Sequence, residues 1–182
     1  MRTLKYAILG LINRKPITGY DIGKEFNFQL AEFWSAKLSQ IYPELKKLVE
    51  EKLIVYDIEI SGDVLEKKIY DITEKGKNEF LKWLKKDVPM EQTPKNIFRL
   101  RMYFSSNLDV NTRIDLLEHQ LLKHNERLTF LYEQKEPYDS VPPLNSDVFG
   151  DYLVLDGAII REESTIKWLE NCINYCKNGN EI

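Results

Sequence analysis

Cysteine and histidine are scarce in this chain of 182 residues, with two of each. Cys172 and Cys176 stand four apart near the C-terminus, too few for a disulfide framework, so a reducing cytoplasm is the expected setting. His119 and His124 lie five apart, about 140° off a shared helical face, which keeps them from converging on a metal. No apolar run approaches the roughly 18 residues of a membrane span, and no membrane partner is expected. Lys15, Pro16 and Thr18 interrupt the apolar stretch from Tyr6 to Ile12 with no small-residue cleavage site after it, which reads against a secretory signal. Glycine-rich phosphate loops are absent, as are HExxH, CxxC and GxSxG patterns. The sequence therefore offers no catalytic residues, no metal site and no cofactor site.

What is present is an ordinary globular composition, 43% hydrophobic and 30% charged, enough for a real core and unlike a disordered chain. The length suits one large domain or two small ones. Charge divides unevenly: residues 1–86 carry 16 Lys and Arg against 13 Asp and Glu, and residues 87–182 carry 10 against 16. The net values of +3 and −6 suggest two jobs, with the basic half the one able to meet phosphates.

Leu4, Ala7, Ile8, Leu11 and Ile12 recur at helical spacing and predict a first helix ending near Asn13–Pro16. Thr18 can cap a second helix with Ile22, Phe26, Leu30 and Phe33 on one face. Ser35 and Ser39 are rival caps for a third helix, running to about Lys52, whose Ile41, Leu45, Leu48 and Val49 share a face. Pro43 lies just past the first turn, so one backbone hydrogen bond is expected to be missing there. The period then changes: Ile54, Tyr56, Ile58 and Ile60 alternate with Val55, Asp57 and Glu59, Ser61-Gly62-Asp63 signals a turn, and Lys68–Ile72 alternates again. Thr73 caps a fourth helix that ends before Pro89.

Three helices, a hairpin and a further helix make the element order of a winged helix-turn-helix. The expected DNA-binding domain spans residues 1–86. Asp87–Pro94 reads as a linker, and residues 95–182 as a helical dimerisation domain. In that second domain a short helix around Ile97–Phe104 precedes a long one capped by Asp109 or Asn111, bearing Ile114, Leu117, Leu121, His124, Leu128 and Leu131 at alternating spacings of three and four. After the proline-rich loop Glu136–Ser146 a last helix repeats the pattern with Tyr152, Leu155, Ile159, Glu162, Ile166, Leu169 and Ile173. Two such helices form an antiparallel hairpin whose apolar seams are expected to be covered by a second copy of the chain. The fold class is thus mainly α with a small β-hairpin.

A helix of this kind fits the major groove and presents its N-terminal side chains to base edges. Gln40 can pair with adenine N6 and N7, Ser39 and Tyr42 can donate to phosphate or base, and Lys46 and Lys47 supply charge to phosphates. Lys67 and Lys68 on the wing can reach phosphates, beside Asp63 and Glu66 of opposite sign. A solvated helical face has the same residue types, and two further readings stay open. The winged helix can bind a protein partner, or Cys172 and Cys176 can form a thiol or metal sensor. Trp34, Trp83 and Trp168 suit either an effector pocket or core packing.

Ile8-Leu9-Gly10-Leu11, Thr18-Gly19-Tyr20-Asp21-Ile22, Phe33-Trp34, Ser39-Gln40-Ile41-Tyr42-Pro43-Glu44-Leu45 and Lys68-Ile69-Tyr70-Asp71-Ile72-Thr73-Glu74-Lys75-Gly76 together closely resemble the PadR family of transcriptional regulators. The likeness covers about residues 1–86, and the acidic half resembles the helical region of its longer branch, related to virulence activators. The resemblance implies a homodimer on a pseudo-palindromic operator in double-stranded DNA, acting as a repressor and released by a small aromatic or hydrophobic effector. It places Ser39, Gln40, Tyr42 and Lys46 on the recognition helix, Thr18 and Tyr20 at the start of the supporting helix, and Lys67 and Lys68 on the wing. Where family wings often carry Gly-Arg-Pro-Arg-Lys, this chain has Asp63-Val64-Leu65-Glu66-Lys67-Lys68. Lys37 replaces a small or hydroxyl residue of many relatives and is an additional candidate phosphate contact.

Overall fold

The structure is a computed structural model that describes residues 2–27, 30, 33–61, 65–90 and 94–179. It divides into two compact units, Met1–Met90 and Glu91–Ile182.

In the first unit, α1 (Thr3–Arg14), α2 (Gly19–Asn27) and α3 (Leu38–Glu50) surround an apolar core, with β2 (Ile54–Ser61), β3 (Leu65–Ile72) and α4 (Glu74–Leu84) closing it. Ile8, Ile12, Ile22, Phe26, Ile41, Leu45 and Leu48 are almost wholly buried there, as the helical stripes dictate. Ile17–Thr18 forms a third strand, β1, which pairs antiparallel with β3 and places β3 in the middle of the sheet. At two residues it is too short for a period to announce it. Thr18 then turns the chain into α2, its Oγ1 accepting the Asp21 N–H at 3.1 Å.

Two local expectations change. α2 stops at Asn27, so Phe33 does not continue its buried face and is 53% exposed in a turn. Neither Ser35 nor Ser39 caps α3; Lys37 is the residue with extended backbone before it. Its N–H donates to Gln40 Oε1 at 3.0 Å, which is half of a capping box, with the side chain three residues on serving the first donor. Pro43 sits inside α3 and cannot donate to the Ser39 carbonyl.

The switch from helix to strand after α3 has a defined geometry. Lys52 takes a left-handed backbone, φ 58°, while Lys52 N–H donates to Val49 O at 2.9 Å and Leu53 N–H to Leu48 O at 2.9 Å. These are the two bonds of a Schellman stop. It delivers Leu53 and Ile54 into the core. The hairpin register runs from Ile54 opposite Ile72 to Ser61 opposite Leu65; Gly62, Asp63 and Val64, including the expected acidic tip, lie outside the described residues. Thr73 caps α4 as expected, accepting Gly76 N–H at 3.0 Å. Of the expected linker, residues 91–93 also lie outside the described residues.

The second unit contains α5 (Ile97–Tyr103), a short 3-10 turn at Ser105–Asn107, α6 (Val110–Lys135) and α7 (Asp147–Asn178). Asp109 and Ser146 cap the long helices, accepting Thr112 N–H at 2.9 Å and Phe149 N–H at 3.2 Å. Cross-helix pairs descend in α7 as they rise in α6, from Glu118–Lys177 through His124–Glu162 to Lys135–Asp156, so the helices are antiparallel.

Part of the seam expected to be covered by a second copy is covered within this chain. Leu117, Leu169 and Ile173 are buried together, and Leu131, Ala158 and Ile159 form a second cluster. Leu121 packs against the first, Leu128 and Leu155 against the second, while Ile114, Tyr152 and Ile166 are half-buried. The short tether brings the two stripes together more readily than a separate molecule can. Leu117 and Leu169, 1% and 0% exposed, therefore have almost no apolar surface to offer another copy. Between the two clusters Glu162 meets His124 Nδ1 at 2.5 Å and Arg127 Nε at 2.9 Å. Cys172 and Cys176 pack against the first cluster, and burial pushes the Cys172 thiol up. Among the described residues no group of three or more His, Cys, Asp or Glu can hold a metal ion, and no helix is long and apolar enough to cross a membrane.

Candidate nucleic-acid interface

The start of α2, the outer face of α3 and the base of the β2–β3 hairpin enclose an open groove in the first unit. Its position follows from the core: with Ile41, Glu44, Leu45 and Leu48 of α3 turned inward, the 100° step of a helix turns Ser39, Tyr42 and Lys46 outward. Tyr20 and Tyr42 are 59% and 49% exposed. Tyr42 is held close to the α2 start, since a Cβ at Gly19 would lie 2.8 Å from its Cε1. The absence of a side chain at Gly19 is what lets the ring lie there.

Lys24 is stationed with its Nζ 4.6 Å from the Tyr20 ring centroid, and Lys68 with its Nζ 4.1 Å from the Tyr56 ring. Both are within range of a cation–π contact that steers a flexible ammonium. Lys46 and Lys67 complete the cationic lining. The three carboxylates of the groove, Asp21, Glu50 and Glu66, do not all face it freely. Asp21 accepts the Thr18 hydroxyl at 2.7 Å and Lys24 at 3.3 Å, and the Thr18 bond above all holds its carboxyl below the usual range. Tyr70 on β3 floors the groove, and burial raises its phenol.

The candidate DNA-binding residues thus separate into two sets. Thr18, Tyr20, Tyr42, Lys46, Lys67 and Lys68 share this groove. Lys37, Ser39, Gln40 and Lys47 are exposed on the first turn and outer surface of α3, with Gln40 and Lys47 one heptad apart on the flank turned away from Tyr42. Lys24 and Tyr56 escaped the sequence reading, although Lys24 stands one helical turn beyond Tyr20 and Tyr56 pairs across the ladder with Tyr70.

The underside of α3 is held by charge as well as by packing. Glu44, a buried carboxylate, receives Arg2 Nη2 at 2.5 Å, and the same guanidinium donates to Glu51. Lys5 joins Glu51 to Glu79 of α4. Trp83 stacks on Tyr6 at 4.8 Å and lies against Phe80, while Trp168 meets Phe98 and Arg99 in the second unit. Those two tryptophans are taken up by packing inside their own units; Trp34 is 40% exposed.

An aromatic and cationic groove beside a helix that exposes its first turn suits a nucleic-acid backbone and an adjacent base edge. Comparison with known proteins agrees with this chemistry. Residues 8–82 match the transcriptional regulator PadR-like family, and residues 94–177 match the virulence activator alpha C-terminal family. The chain is similar to the negative transcriptional regulator PadR of Bacillus subtilis, with 44% identity over 176 residues, 95% of this chain and 97% of that protein. The structure of Bacillus subtilis PadR in complex with operator DNA superposes with a TM-score of 0.91 at 43% identity, covering 96% of this chain and 99% of that one. The complex of the same protein with p-coumaric acid superposes at 0.85 with 40% identity, covering 97% and all of that chain. This chain belongs to the PadR-like family of transcriptional regulators.

Proposed function

We propose that this protein is a transcriptional repressor that binds a pseudo-palindromic operator as a homodimer in the cytoplasm, with no catalytic step, and leaves it when a small aromatic acid binds. The groove carries this reading: Tyr20 and Tyr42 stand exposed, and Lys24, Lys46, Lys67 and Lys68 surround them. Tyrosine hydroxyls and ammonium groups are donors suited to phosphate oxygens, and α3 offers its first turn to bases. The repressor sign and the aromatic acid rest on the likeness to the Bacillus subtilis protein, named a negative regulator and solved with operator DNA and with p-coumaric acid.

With part of the α6–α7 seam covered within the chain, the second copy meets the outward face. Leu122 on α6 and Leu153 and Ile160 on α7 are each more than half exposed, and the last two stand one heptad apart on the side of α7 opposite its buried stripe.

The test is fluorescence anisotropy on the protein's own upstream DNA. Wild type is expected to bind in a salt-dependent way and to release on addition of p-coumaric acid. Lys46→Ala is expected to lower affinity and to flatten the plot of log affinity against log salt by about one unit of slope. Binding no tighter than to scrambled DNA overturns the regulator reading; operator binding that ignores the acid overturns the effector part alone.

A further inference from the structure

Gln40 is the third residue of α3 and is exposed, with its side-chain oxygen already engaged. Oε1 accepts the backbone N–H of Lys37 at 3.0 Å. A backbone N–H can only donate, so the amide atom opposite it has to be the oxygen. That settles which branch of the amide is which: the acceptor closes the helix start and the –NH2, with its two donors, is the branch left for a ligand. Pairing with adenine, as expected from residue type alone, requires the same oxygen to accept from N6 while the nitrogen donates to N7.

We propose that Gln40 reads the operator as a donor only and selects a keto base, guanine or thymine, at the position it contacts. Guanine presents two acceptors, N7 and O6, and thymine presents O4 to the major groove; cytosine presents only an amino group, and adenine sets its N6 amino group beside N7, so an outward –NH2 gains one acceptor there and meets a donor next to it. The inference rests on the DNA-binding reading above and deepens it. Nothing else in the described residues competes for the two donors, since no other hydrogen bond or ion pair involves the Gln40 side chain. Gln40 is therefore both a cap and a specificity-determining residue. The cap biases the choice of base: the Lys37 N–H holds Oε1 turned toward the helix start, so a bond from adenine N6 has to share an occupied acceptor while the –NH2 is the free, outward branch.

The experiment selects bound sequences from random duplex DNA with wild type, Gln40→Glu and Gln40→Met, with thermal melting to verify that each variant folds. Gln40→Glu keeps an oxygen for the Lys37 N–H and replaces the outward –NH2 by a second oxygen. Wild type is expected to enrich guanine or thymine at one position of each half-site, by about tenfold over adenine or cytosine. In Gln40→Glu that position is expected to turn to cytosine or adenine, which offer a donor. Gln40→Met, close in size but without either group, is expected to lose preference there and nowhere else. Enrichment of adenine by wild type, lost in Gln40→Met, overturns the proposal in favour of two-sided amide pairing. The same consensus from all three proteins also overturns it, and leaves the repressor reading standing on other contacts. No enrichment by wild type overturns both.

Discussion

Gly19→Ala is the most incisive test of how the two exposed tyrosines are set. The new methyl carbon would lie 2.8 Å from Tyr42 Cε1, 3.3 Å from its Cζ and 3.2 Å from Leu45 Cδ1. A separation near 2.8 Å is roughly 0.7 Å inside carbon–carbon contact, so the ring has to move. It can do so cheaply, because Tyr42 is about half exposed and swings outward without entering the core. Leu45 has to yield only a few tenths of an ångström. The backbone at Gly19 is not left-handed, and alanine gains up to about 1 kcal/mol of helix propensity over glycine. These effects nearly cancel, and urea unfolding is expected to shift by less than about 1 kcal/mol. Operator binding is another matter. A displaced hydroxyl loses a hydrogen bond worth roughly 1 to 1.5 kcal/mol, or about tenfold in Kd. Anisotropy and urea melts on the same preparation separate the two. Unchanged affinity with unchanged stability refutes the assignment of Tyr42 to the interface; a large loss of stability refutes the claim that the ring can leave.

Gly76→Ala is the opposite case, because the new atom would lie 2.0 Å from the Leu53 carbonyl oxygen, which is backbone and cannot rotate away; a loss of about 1–3 kcal/mol is expected in urea unfolding, and a gain would show that α4 docks more loosely than described. Lys52→Gly is expected to raise stability by about 0.5–1 kcal/mol by relieving the left-handed backbone at that stop, read as a higher denaturation midpoint. Glu51, bonded first to Arg2, and Glu79, bonded first to Lys5, are both held below the usual carboxyl value of 4.5. Their stabilisation is complete above that pH and is lost as pH falls through the lower folded values. Unfolding midpoints measured from pH 6 to 3 should therefore drop, less steeply in Arg2→Met; parallel curves would contradict the linkage. A double-mutant cycle of His124→Leu and Glu162→Leu is expected to show a coupling of about 0.5 kcal/mol or more, and strict additivity would mean that the short contact contributes nothing.

Long periodic segments were the legible part of this chain. α1, α3, the hairpin and the two long helices follow from repeats of 3.6 and 2, and the caps Thr18, Thr73 and Asp109 from side chains whose oxygens have a known task. What escaped depends on partners distant in sequence. β1 exists because β3 offers it a free edge, which two residues cannot signal. Lys37 is an improbable cap by residue type, and its place became visible only through Gln40 three residues on. Lys24 and Tyr56 reach the groove by ring contacts that no motif encodes. The apolar stripes of α6 and α7 are legible in the sequence, but a stripe does not say which stripe covers it.

The charged cluster in the middle of the α6–α7 hairpin determines how that hairpin can move. Along the seam Leu117 shares a cluster with Leu169, His124 meets Glu162, and Leu131 shares a cluster with Ala158 and Ile159. Sliding one helix past the other by a heptad keeps the apolar stripes facing each other but brings Glu162 toward Leu117 or Leu131, a carboxylate among hydrocarbons parted from His124 and Arg127. The polar pair acts as a key in a slot. A heptad slip of this hairpin is therefore costly, because only the present register gives Glu162 its partners.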